Sequence, residues 1–164
     1  MTVQAASSAL APAAIATRVI AFIIDLILIS IVGFVIGQLI GDASAVGSVT
    51  RAIIYGVLGF LYFGYTWTTS RATPGQRGLG LMTVNEDGSA LTWNQAALRW
   101  AYLFGPSVVQ NLFFVQIGGT LGTLVGLIVL GYYIYLLYTS ATDPKRQGFH
   151  DKQTRTMVAV KTAA

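Results

Sequence analysis

Asp25 is the one charged side chain in the apolar run 19–40, and Arg18 stands at its entrance. An ionised carboxylate costs roughly 3 kcal/mol to place at the centre of a membrane helix, so such residues take partners and mark candidate functional sites. The chemistry open to Asp25 is reversible binding of a proton or cation, or a fixed pair that locks helices together. Seven residues separate Arg18 from Asp25, almost two helical turns, which aligns them on one face about 10.5 Å apart along the axis. They share a face without pairing. Arg18 is expected to snorkel toward headgroups, and Asp25 to take Arg99, at the entrance of the later run 100–117, as its partner. Within that run, Gln110 and Asn111 are the amides expected either to bond neighbouring helices or to share a wet pocket with the pair. Burial raises a carboxyl pKa and a nearby arginine lowers it, so carrier and clasp are both open.

The elements that must position these residues follow from composition. Of 164 residues, 54% are hydrophobic and 10% charged, with a mean hydropathy of +0.66; a soluble domain carries about 25% charge. The chain reads as an integral membrane protein. It has no cysteine, which removes disulfide and cysteine-metal chemistry. The net charge of +4 is spread between apolar runs, so anionic lipid headgroups rather than nucleic acid are the expected counterpart.

Four runs approach the roughly 20 helical residues that a bilayer requires: 19–40, 52–70, 100–117 and 120–138, the last two divided at Gly118-Gly119. This predicts an all-α, polytopic four-helix transmembrane bundle. Basic residues stay on the cytoplasmic side. With four spans, nine of the ten Lys and Arg residues fall on one side and only Arg51 on the other, so both termini are expected in the cytoplasm and the protein in the cell's inner or plasma membrane. Residues 1–17 are Ala- and Ser-rich and uncharged, and are expected to form a disordered, uncleaved leader ahead of a domain over 18–160, with 161–164 as a short tail.

Between the second and third spans, 79–84 and 89–91 flank Asn85-Glu86-Asp87-Gly88, the composition of a tight turn, which predicts a small cytoplasmic hairpin. Thr92 and Gln95 have capping-box spacing, and Pro106 is placed to bend the third span and free a carbonyl. Glycines four apart, Gly33, Gly37 and Gly41 on the first span and Gly118, Gly122 and Gly126 on the fourth, make small faces for close helix packing, on each other or across a homodimer. In the tail, His150 beside Asp151 lacks a second ligand at metal-binding spacing. No nucleophile elbow or phosphate loop is present, so neither enzymatic chemistry nor a cofactor is expected.

Arg18 with Asp25, then Thr73-Pro74-Gly75-Gln76-Arg77-Gly78-Leu79-Gly80-Leu81, Asn85-Glu86-Asp87-Gly88, Asp143-Pro144, His150-Asp151 and Thr156-Met157-Val158 form an ordered set that resembles the RDD family of prokaryotic membrane proteins. The resemblance runs from about residue 16 to 160. It implies that the family arginine is Arg18, the first aspartate Asp25, and the second aspartate Asp151 or Asp143. Gln76 stands where the resemblance leads one to expect a basic residue. Two functions fit. One is a small transporter or ion/proton exchanger, a parallel homo-oligomer in which Asp25 binds an ion or small ligand near Arg99; the other is a non-catalytic scaffold or accessory subunit in which the charges are structural.

Overall fold

The computed structural model describes residues 10–40, 45–114 and 119–161. Four long helices dominate: α1 (Ile15–Ile40), α2 (Ala45–Tyr65), α4 (Trp93–Val109) and α5 (Gly119–Thr142), with the short helices α3 (Pro74–Gly78) and α6 (Phe149–Thr154). Wider π-helical turns extend α2 through Thr66–Ser70 and α4 through Gln110–Phe114.

α1 and α5 are long and apolar enough to cross a membrane, and only 17% and 6% of their most apolar windows are buried. A soluble core helix hides its apolar surface; here the polarity is reversed. Ala21, Asp25 and Gly33 face inward on α1, while Ile20, Ile27, Ile31 and Phe34 are exposed. An exposed apolar surface of this extent marks contact with lipid or with another chain.

The polar ends of the helices meet in a cap. Strand β1 (Leu81–Asn85) pairs antiparallel with β2 (Thr156–Val160), from Leu81 opposite Val160 to Asn85 opposite Thr156. This corrects the expected all-α fold and local hairpin. The turn forms, with Gly88 at φ +84° and its amide bonded to the Asn85 carbonyl, but the following segment runs directly into the α4 cap, and the β-branched Thr156–Val160 stretch supplies the partner strand. Residues 11–13 line the other edge of β2 through Ala13 N to Val158 O and Val160 N to Ala11 O, both 2.9 Å. Of the expected leader, residues 1–9 lie outside the described residues, 11–13 pair with β2, and α1 begins at Ile15.

The Thr92–Gln95 capping box is present, each side chain bonded to the other's backbone amide. The helix it starts is continuous through Arg99 and Pro106. Pro106 has no N–H for the Tyr102 carbonyl one turn back, and that carbonyl accepts from the Tyr132 hydroxyl at 2.7 Å. Tyr132→Phe is expected to destabilise the α4–α5 contact by about 1 kcal/mol, measured as a lower thermal midpoint with unchanged helicity.

Among the described residues, Gly33, Gly37 and Gly126 meet side chains rather than one another. Gly33 and Gly37 receive Tyr55 of α2, whose hydroxyl donates to the Gly33 carbonyl at 2.8 Å, and Gly126 faces the Gln110 side chain. Gly41 and Gly118 lie outside the described residues; Gly119, at φ +58°, opens α5.

Candidate functional site

The first cluster forms where α1 meets α3. Thr73 caps α3: its hydroxyl accepts from Gln76 N at 3.2 Å, and Gln76 Oε1 accepts from Thr73 N at 3.0 Å, with Pro74 at the first helical position. This is the Thr-x-x-Gln spacing of the α4 start, so the sequence carried a second capping box that went unread. It also accounts for Gln76 where a basic residue was expected: the amide closes the cap and donates to Thr83 Oγ1 at 2.8 Å.

The capped turn presents its donors to Asp25. Thr73 Oγ1 donates to Oδ2 at 2.5 Å, and Gly75 N and the Tyr62 hydroxyl donate to Oδ1 at 2.8 Å each. Asp25 is 2% exposed. Three convergent donors are what a buried carboxylate needs in place of water. Gly75 allows the approach, because a Cβ there would collide with the Ala21 carbonyl oxygen and crowd the Asp25 carboxyl.

Arg99 is therefore not the partner of Asp25, contrary to expectation. It lies on the face of α4 that packs on α6, where it donates to Asp151 and, at 2.5 Å, to Thr156 Oγ1; its guanidinium stacks 5.2 Å from the Trp67 ring centroid. Arg18 does not reach outward either. It donates to Asp151 Oδ2 at 2.7 Å and to the Arg146 carbonyl, while Gly148 N donates to the same Asp151 oxygen at 2.9 Å. Asp151 is fully buried between two arginines. Asp143 is a half-buried residue of the preceding turn, bonded to Lys152 at 2.5 Å and to the amides of Lys145 and Gln147. The geometry thus selects Asp151 as the aspartate facing Arg18.

Burial alone would raise the Asp151 pKa, but the charges of Arg99, His150 and Arg18 and the Arg18 hydrogen bond hold it well below the usual carboxylate range. Burial, helped by Arg99 and Arg18 against Asp151, lowers His150 from 6.5 to about 3. His150 Nε2 lies 3.5 Å from Asp151 Oδ1. Among the described residues no group of three or more His, Cys, Asp or Glu side chains could hold a metal.

Both clusters border one cavity of about 280 Å³, lined by Arg18, Asp25 and Arg99 and walled mainly by apolar side chains. Gln110 and Asn111 do not line it. They follow Arg99 by some three helical turns, roughly 16 Å along the axis; Asn111 donates back to the Ser107 carbonyl at 2.8 Å and borders a separate cavity beside Trp100. Sequence reading missed Tyr62, Thr73 and Gly75 around Asp25, and Trp67 and Thr156 around Arg99.

The model of the RDD family matches residues 12–155, most of the chain. No curated protein and no solved structure matches it.

Proposed function

The chain belongs to the RDD family, and from that premise we propose that this small membrane protein is a non-catalytic scaffold or accessory unit, its charged residues clasping a cytoplasmic cap onto four membrane-crossing helices. One observation carries this reading: the charges are committed to protein partners, Asp25 to three donors and Asp151 to Arg18 and Arg99. A carboxylate that exchanges ions must release its ligands in turn, and these ligands are parts of the fold. The nine-to-one bias of basic residues supports a single orientation with both termini in the cytoplasm, in the cell's inner or plasma membrane, and hence a parallel arrangement in any homo-oligomer. The Asn85–Gly88 turn, with Glu86 and Asp87 exposed, then forms the face offered to a partner.

Ion or proton exchange through Asp25 is a second reading, favoured by the cavity that reaches its side chain. Asp25→Asn separates the two. An asparagine at this position turns an NH₂ toward donors, so the clasp reading expects a loss of about 2 kcal/mol, of the size of a hydrogen bond to a charged group, and faster hydrogen exchange at the Gly75 amide. Unchanged thermal stability together with abolished pH-dependent cation flux in liposomes would reject the clasp.

A further inference from the structure

The two helices long and apolar enough to cross a membrane, α1 and α5, both line the 280 Å³ cavity and do not close it. α1 packs chiefly on α3 and α2, and α5 on α6 and the π-helical turn after α4; neither packs extensively on the other. Long side chains span the distance from α5 to α4 instead: the Tyr132 and Tyr133 hydroxyls donate to the carbonyls of Tyr102 and Leu103 at 2.7 and 3.0 Å. A seam is left between α1 and α5. It reaches the surface near the cap, where Val19, one turn into α1, is half-buried and Leu137, near the end of α5, is 49% exposed. Tyr135 and Tyr138 on the same stretch of α5 are exposed, and tyrosines favour the headgroup level of a bilayer.

The mouth of this seam is cationic. Arg18 lines the cavity, its side chain 11% exposed, and donates to the Arg146 carbonyl. Arg146 belongs to the turn between α5 and α6; its side chain is exposed and, among the described residues, enters no ion pair. Arg18, Arg99 and Arg146 stand here against two carboxylates, Asp25 and Asp151, which leaves one excess positive charge. Both carboxylates already accept from protein donors, Asp25 from Thr73, Gly75 and Tyr62 and Asp151 from Arg18, Arg99 and Gly148. The excess is therefore offered at the surface, on Arg146, to an anion from outside the fold.

We propose that the seam between α1 and α5 binds one anionic phospholipid, its phosphate at Arg146 beside Arg18 and part of one acyl chain in the cavity along Val19, Phe22, Leu136 and Leu137. The volume sets how much of the lipid enters. Near the lower end of the 300–1,000 Å³ range of small-molecule sites, it takes a portion of one chain and leaves the remainder in the bilayer. The excess charge selects the head group, because a zwitterionic lipid brings an ammonium into a field that is already positive and an acidic lipid does not. The site goes beyond the scaffold reading and does not rest on it: it requires membrane contact alone, and ion exchange at Asp25 would leave it unaffected.

The test is native mass spectrometry of the full chain in mild detergent, titrated with dioleoylphosphatidylglycerol or dioleoylphosphatidylcholine. One retained phosphatidylglycerol per chain is expected, at a concentration at least about tenfold below that needed for phosphatidylcholine, the scale of one charge-assisted contact. Glycerol 3-phosphate, which has the anion without the chains, should not displace it at equal concentration. Arg146 has φ +53°, a conformation that glycine adopts freely, so Arg146→Gly removes the cation while keeping the turn, and the preference should vanish; Arg146→Lys should retain most of it. Leu137→Trp narrows the seam at an exposed position and should weaken retention of phosphatidylglycerol by about tenfold. Equal retention of the two lipids by the wild-type protein overturns the charge assignment, and displacement by glycerol phosphate overturns the seating of a chain. A preference that survives Arg146→Gly removes the phosphate from this mouth, and wild-type retention by Leu137→Trp removes the lipid from the seam.

Discussion

Asp151→Asn should destabilise the protein by about 3–5 kcal/mol, the usual cost of removing one member of a buried ion pair and leaving its partner charged. The substitution preserves shape and leaves two arginines without a counter-charge, one of them, Arg99, 2% exposed. The two partners should respond differently. The Arg18 side chain is 11% exposed and sits at the start of α1, where it can turn toward headgroups; Arg99 has no such exit. Adding Arg99→Met to Asp151→Asn is therefore expected to recover much of the lost stability, because an apolar replacement of a buried ionic group is often close to neutral, while adding Arg18→Met recovers less. Chemical unfolding in mild detergent, followed by tryptophan fluorescence and circular dichroism, gives the comparison. Equal rescue by both, or none by Arg99→Met, would contradict the assignment of Arg99 as the charge that Asp151 compensates.

The same cluster sets the direction of the pH response. Asp151 has a folded pKa below its unfolded value, so its contribution is fully present above the unfolded value near 4 and is lost as the pH falls below it. His150 titrates at about 3 when folded and near 6.5 unfolded. The unfolded state binds the extra proton throughout that interval, and stability falls as the pH drops from about 6.5, by up to about 1.4 kcal/mol per pH unit. Both groups act in one direction. Acidification from pH 7 to pH 5 should lower the thermal midpoint of the wild-type protein, and His150→Gln should flatten that slope.

The helices were legible in the sequence because apolar runs of membrane length and caps are local signals. Thr92 and Gln95 could be read from spacing alone, and so could the freed carbonyl before Pro106. The pairing of charges was not local. Arg99 and Asp25 enter the apolar runs on matching sides, and depth alone suggested that they meet; what separates them is the folding of 149–160 back onto the start of α4, which brings Asp151 to Arg99 across 52 positions. Strand pairing failed for the same reason. Leu81–Asn85 has a near neighbour after the turn and a better one in Thr156–Val160, and sequence distance does not rank them. Asp25 itself was recognised as expensive, but its ligands are a backbone amide, a threonine and a tyrosine, residue types that give no charge signal.

Gly75→Ala should be the most damaging single methyl added to the cap. The new Cβ would overlap the Ala21 carbonyl oxygen and lie 2.9 Å from Asp25 Oδ1. The carbonyl belongs to the α1 backbone and cannot rotate away, so the α3 turn must lift from the helix. That movement breaks the Gly75 N–H bond to Asp25 and loosens Thr73 Oγ1 from the other carboxylate oxygen. Overpacking of about 1–3 kcal/mol and loss of a charge-assisted hydrogen bond of about 1.5–3 kcal/mol combine to an expected loss on the order of 4 kcal/mol. Gly78→Ala supplies the control in the same short helix, because a Cβ there meets nothing within 4 Å, and it should change stability by less than about 1 kcal/mol. The pair of variants isolates close approach from helix propensity. Combining Gly75→Ala with Asp25→Ala should cost less than the sum of the two, since the lifted turn has already abandoned the carboxylate and coupled neighbours are not additive. Strict additivity, or a Gly75→Ala protein as stable as Gly78→Ala, would mean that the turn and Asp25 do not hold each other.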